Sequence, residues 1–290
     1  AIFALYARAL GRGFTSEDFL LVRYFGEHPP WLDLRAQLAD PWRGMRGGIE
    51  FFRPASTLLY GLEIAAFGTD PRGYVIVHLL THWLVALLVF AIARELVRRD
   101  PQRPGTAVAP WAAALFAVYP LHPNAVVFNA SFATLFGGLF ALLSLYAYQR
   151  FRATSGRGWW LAAFGAFALA LGSYEATAVL PIWLVAHDQL VVVGPPSRLR
   201  RLLASLPFFA LLAGYFGWRH HLFGDFVGGY AATRERLGDA SILVADLLKS
   251  FGRLHLPFFS QPQGVAIAAV VLLAALAAVA FSSRPGPPRA

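Results

Sequence analysis

Arginine-rich connections alternate with long apolar runs along this 290-residue chain, and that alternation constrains its fold more than any other feature. Apolar runs of about 20 residues have the length a helix needs to cross a bilayer, and short arginine-rich loops stay on the cytoplasmic side. A first full run over 73–97 ends in Arg94, Arg98, Arg99 and Arg103. Arg150, Arg152 and Arg157 follow the region 107–148, and Arg198, Arg200 and Arg201 follow 159–193. Both of these regions are too long for one span, so each must contain a hairpin. One break falls at Tyr119-Pro120 and His122-Pro123, where proline removes a backbone donor and restricts its neighbour; the other falls at Gly172-Ser173-Tyr174-Glu175. Further spans are expected over 202–218 and 265–281. The expected fold class is all-α: a multi-pass transmembrane helical bundle of about eight spans. Residues 1–13 read as the tail of an earlier helix, so the chain is expected to be a fragment, with a single transmembrane domain over 1–290 and a truncated first span.

Composition supports this reading. The chain is 57% hydrophobic and only 14% charged, with a mean hydropathy of +0.53, too apolar for a soluble domain. The formal charge of +9 rests almost wholly on arginine, with Lys249 as the single lysine. These arginines sit at helix ends, where topology and lipid headgroups account for them, so membrane lipids and not nucleic acid are the expected partners. No cysteine is present, which excludes disulfides, thiolate catalysis and cysteine metal sites. The sequence also lacks a glycine-rich phosphate loop, a zinc-protease helix and a nucleophile elbow, so soluble nucleotide-sugar chemistry has no visible home in it.

By parity four regions face outward: 14–72, 120–131, 172–177 and 219–256. The first is too long for a turn and is expected to hold interfacial helices at Trp31 to Leu38 and Pro54 to Phe67. Candidate functional residues gather in these regions. Glu17 and Asp18 could act as a general base or hold a divalent metal. They equally suit the first turn of a helix capped by Ser16. Arg53, beside helix-starting Pro54, could present its guanidinium to an anion or to lipid headgroups. His78 and His82, four apart on one helix face, could share a metal, bind a phosphate or pack between helices. His122 and Asn129 lie in the second outer turn, and Tyr174 and Glu175 in the third; ionisable groups at such depth are functional candidates by default. Arg219, His220, His221, Tyr230, Arg234 and Arg236 form a basic last segment, suited to clamping an anionic headgroup. His187 and Asp188 lie toward the inner end and read as interface packing.

In order and spacing, several of these segments resemble the GT-C superfamily of multi-pass glycosyltransferases. The nearest likeness is to the branch of protein O-mannosyltransferases, TMTC-like proteins and aminoarabinose transferases. The resemblance is carried by Glu17-Asp18, Phe52-Arg53-Pro54, Gly73-Tyr74 with His78 and His82, and Tyr119-Pro120-Leu121-His122-Pro123 with Asn129-Ala130-Ser131. It continues through Ser173-Tyr174-Glu175 with Pro181 and Tyr215 to Arg219 with Gly228-Gly229-Tyr230. Two positions depart from the pattern. Glu17 stands where the family usually has Asp, and Tyr174 where the TMTC-like branch often has Lys.

The resemblance implies an inverting transfer of a sugar from a polyprenyl-phosphate donor to a glycan, lipid or protein acceptor at the extracytoplasmic face of a membrane, and the Arg, Ala and Gly bias of the composition makes a bacterial cytoplasmic membrane the expected one. It implies Glu17 or Asp18 as catalytic base. Arg53, His78, His82, Arg219 and Tyr230 would serve the donor phosphate and lipid, and His122, Asn129, Tyr174 and Glu175 would support the site or bind acceptor. No cofactor is required by this scheme, with a divalent metal left open. A non-catalytic membrane scaffold and a lipid or solute transporter are the alternative functions.

Overall fold

The computed structural model describes residues 6–15, 17–29, 38, 51–98, 107–119, 122–192, 197–224 and 226, all within the unit Ala1–Gly229. The described residues form helices and no strands. After a 3₁₀ turn at Ala7–Gly11 come α1 (Glu17–Glu27), α2 (Pro54–Phe67), α3 (Pro71–Arg98), α4 (Val108–Val118) and α5 (His122–Val127). A 3₁₀ turn at Asn129–Ser131 leads into α6 (Phe132–Thr154). Then follow α7 (Arg157–Ser173), a 3₁₀ turn at Glu175–Val179, α8 (Leu180–Leu190) and α9 (Arg198–Phe223). The expected breaks at 119–123 and 172–175 are both present, and Pro54 starts α2 as its first residue. Of the expected helix at Trp31 to Leu38 only Leu38 is described, and the expected span over 265–281 lies outside the described residues.

Among the described residues three helices are long and apolar enough to cross a membrane: Pro71–Arg98, Asn129–Thr154 and Leu199–Phe223. α3 shows how such a helix is partitioned. Ile76, Leu80, Trp83, Leu84 and Leu87 form one exposed apolar stripe, while Tyr74, Val75, His78, Leu79, His82, Val85 and Ala86 are buried on the opposite side. An exposed leucine-rich stripe is what a lipid-facing helix presents, and the polar groups turn inward. The expected polar stretch beginning at Arg219 needs correction. α9 runs on to Phe223, stopped by Gly224 in the left-handed conformation (φ 74°), so Arg219, His220 and His221 belong to its last turns.

α6 and α7 pack closely because the contact is made of small residues. Ala163, Ala166 and Ala170 are buried, and the Ser144 hydroxyl donates to the Ala163 carbonyl at 2.7 Å. Phe208 of α9 closes this group, its ring 5.6–5.9 Å from those of Tyr148, Trp160, Phe164 and Phe167. A second cluster joins α1, α2, α3 and α6 through Leu21, Phe25, Tyr60, Ile64, Tyr74, Phe132 and Phe136, with Tyr174 packed against it.

The arginine-rich ends are tied by a buried clamp. Asp188 of α8 accepts from the Tyr148 hydroxyl at 2.6 Å and from Arg152 Nε at 2.8 Å, both on α6. Arg152 also donates to the Arg201 carbonyl, and Arg201 in turn donates to the carbonyls of Asp188 and Val192 at the end of α8. Asp188 is therefore a tie between three helices, stronger than the interface packing its sequence position suggests.

Candidate functional site

The candidate residues sit at the helix ends opposite those arginine clusters, and α2 organises them. Arg53 precedes its first residue, Pro54, with non-helical backbone angles (φ −133°, ψ 56°). Ser56, one turn later, donates to the Ser173 carbonyl at 3.1 Å, which seats α2 on the end of α7. Gly172 makes this approach possible, since a Cβ there would stand 3.2 Å from the Ala55 Cβ.

That seating delivers Arg53 to Glu175. Arg53 Nε and Nη2 donate to the two carboxylate oxygens at 2.7 and 2.5 Å, a bidentate pair between side chains 12% and 27% exposed. The Arg53 guanidinium also lies over the rings of Phe51, at 3.8 Å, and Tyr174, at 5.0 Å. Arg219 is fully buried in α9 and its charge acts on Glu175. Burial on its own would push the Glu175 carboxyl up. The Arg53 hydrogen bonds and charge, aided by Arg219, outweigh burial and hold it below the usual carboxylate range. Two guanidiniums thus act on one carboxylate.

The acid pair divides at the start of α1. Asp18 is buried, and its Oδ2 accepts from the Thr15 amide at 2.9 Å and the Thr15 hydroxyl at 3.1 Å. Its Oδ1 accepts from the Ala130 amide at 2.8 Å. Glu17 is exposed. Thr15 exchanges these bonds with Asp18 at the helix start; the expected cap residue Ser16 lies outside the described residues. Phe14 and Phe19 meet edge to face at 5.9 Å across this cap, as a hydrophobic staple.

His78 and His82 do not converge on a shared ligand. His78 Nδ1 faces the Val126 carbonyl at 3.3 Å, and His82 Nε2 faces the Ala117 carbonyl at 3.2 Å. Both are buried packing groups between α3 and the α4–α5 region. No group of three or more metal-ligating side chains occurs among the described residues. Asn129 is buried with its Oδ1 lacking a hydrogen-bond partner, beside the Ala130 amide that meets Asp18. His122 opens α5, but its side chain is not described; Tyr230, Arg234 and Arg236 lie outside the described residues. The structure thus joins Arg53, Tyr174, Glu175 and Arg219 in one cluster, and Asp18 with the 129–131 turn in another. Both adjoin α2 and its shared apolar cluster.

Sequence reading missed Glu63. It is buried on α2, its Oε1 3.4 Å from His78 Nε2, and neither of its carboxylate oxygens has a hydrogen-bond partner. Its sequence signal is an acid one turn after Tyr60 in an otherwise apolar helix.

Two known proteins are similar to this chain. Over 152 residues it is 32% identical to protein O-mannosyl-transferase Tmtc1 of Drosophila melanogaster, covering 51% of this chain and 17% of that protein. Over 275 residues it is 29% identical to protein O-mannosyl-transferase tmtc2 of Xenopus laevis, covering 85% of this chain and 31% of that protein. The chain therefore spans less than a third of the length of either relative. No family model and no solved structure matches it.

Proposed function

We propose that this protein transfers a sugar from a polyprenyl-phosphate donor to an acceptor hydroxyl at the extracytoplasmic face of a membrane, inverting the anomeric centre. The observation that carries this reading is the Arg53–Glu175–Arg219 cluster, in which segments 122 residues apart meet and two guanidiniums act on one carboxylate beside aromatic rings. A lipid phosphate is already a good leaving group, so the site needs preorganised positive charge near the departing phosphate more than it needs a strong general acid. It also needs a carboxylate to take the acceptor's proton during attack, and the Glu17–Asp18 pair supplies that group. Glu175 orients Arg53 toward the phosphate and tempers its charge. The donor's chain lies among membrane helices whose exposed faces are rich in leucine. The two O-mannosyl-transferases support the same class of reaction.

The test is transfer from polyprenyl-phosphate sugars by the full chain reconstituted in lipid. General-base catalysis contributes about 10²–10⁴-fold, so the double variant Glu17→Gln/Asp18→Asn should lose turnover by that factor while still binding donor. Full activity in that variant would overturn the assignment.

A further inference from the structure

The two acids at the start of α1 are adjacent in sequence but opposite in environment. Successive residues on a helix point about 100° apart, so one of such a pair can turn inward while its neighbour faces out. Asp18 turns inward and is 2% exposed. Three donors occupy its two oxygens: the amide and hydroxyl of Thr15, and the amide of Ala130. Glu17 is exposed and has no hydrogen bond or ion pair to a described residue.

A helix cap accounts for only part of this. The Thr15 bonds and the Phe14–Phe19 contact complete the local cap without help from elsewhere. The bond to Ala130 crosses 112 residues and reaches the Asn129–Ser131 turn, which leads directly into α6. It satisfies the part-buried Ala130 amide, and it fixes the first turn of α1 against the α6 entrance.

A general base must offer an open lone pair within hydrogen-bond reach of the proton it takes. Asp18 can do so only by surrendering bonds that hold two segments together. Glu17 has no such obligation. We propose that the pair divides its labour: Glu17 takes the proton, and Asp18 is a positioning residue that pins the α1 start to the 129–131 turn and so holds Glu17 in place. This rests on the transferase reading above. The pinning itself does not, and it can be measured without any turnover.

The experiment compares Glu17→Gln, Glu17→Ala, Asp18→Asn and Asp18→Ala in the reconstituted full chain, by hydrogen exchange and by transfer kinetics. Exchange at 14–20 and 128–132 should quicken in both Asp18 variants and stay at the wild-type rate in Glu17→Gln. Unchanged protection in both Asp18 variants would overturn the pinning, whether or not the protein transfers sugar.

In the kinetics, Glu17→Gln should lose about 10²–10⁴-fold in kcat and lose the acid limb of the kcat–pH profile. Asp18→Asn should lose about 10-fold through misplacement, and the acid limb should survive. Added formate should partly restore Glu17→Ala and leave Asp18→Ala unchanged. Loss of the acid limb in Asp18→Asn, or formate rescue of Asp18→Ala alone, would make Asp18 the base and overturn the division. A wild-type protein that pins normally but transfers no sugar from any polyprenyl-phosphate donor would sink the transferase reading and leave the positioning intact.

Discussion

Replacing Glu175 by Gln tests the cluster that carries the functional reading. The substitution keeps the side chain's shape and removes its charge, so Arg53 and Arg219 are left facing a neutral amide. Exposed ion pairs are worth about 0–1 kcal/mol, whereas stripping one partner from a buried pair costs about 3–5 kcal/mol. The Arg53–Glu175 pair lies between these limits, with side chains 12% and 27% exposed and bidentate contacts at 2.7 and 2.5 Å. Partial exposure discounts the buried figure, and the buried Arg219 charge raises the cost, so a loss of about 2–3 kcal/mol is expected. Reversible unfolding in mixed micelles measures it, and a double-mutant cycle with Arg53→Gln isolates the coupling.

The pH dependence gives an independent check with a definite sign. The folded Glu175 carboxyl titrates below its unfolded value, about 4.3 for glutamate. Its contribution is therefore complete above that value and is lost as pH falls through the folded titration. The penalty of Glu175→Gln should be constant from neutrality to about pH 5 and shrink below about pH 4. A coupling energy under about 0.5 kcal/mol, or a penalty that grows on acidification, would refute the argument that this pair is a desolvated clamp.

Two further substitutions probe the supporting structure. His78→Leu should cost about 2–4 kcal/mol because it removes the imidazole that faces the buried Glu63 carboxyl at 3.4 Å, while Glu63→Met/His78→Leu should fall within about 1 kcal/mol of wild type, both read from thermal unfolding. Gly137→Ala would place a Cβ 2.6 Å from the Tyr174 Cβ. It should cost about 1–3 kcal/mol by overpacking and, on the transferase reading, raise the donor KM by displacing Tyr174 from the Arg53 guanidinium.

The sequence made the helices legible because their signals are local. Pro120 and Pro123 interrupt one apolar region, Tyr174 and Glu175 interrupt another, and Pro54 starts α2 where a proline is tolerated. The alternative of a capped helix at Phe14 to Phe19 was also readable, and Thr15 makes bonds to Asp18 at its start. What stayed hidden depends on partners far along the chain. Nothing near Asp18 announces the Ala130 amide, and nothing near Arg53 announces Glu175. Arg219 read as a loop residue because its charge and the histidines after it outweighed the helical register that carries α9 to Phe223. Glu63 was overlooked because one acid in a short interfacial helix looks solvated until α3 is packed against it.

The Tyr148–Arg152–Asp188–Arg201 clamp bears on how such a chain is made. α8 has 11 residues, so it is about 16 Å long, well short of the roughly 30 Å hydrocarbon layer, and it carries an acid near its end. Translation delivers α6 first, so Arg152 and Tyr148 precede Asp188, and the short segment follows its counter-charge. Arg201 comes last and closes the carbonyl end of α8. Exchanging Arg152 with Asp188 would preserve the final pair while making the arginine, not the acid, the late arrival.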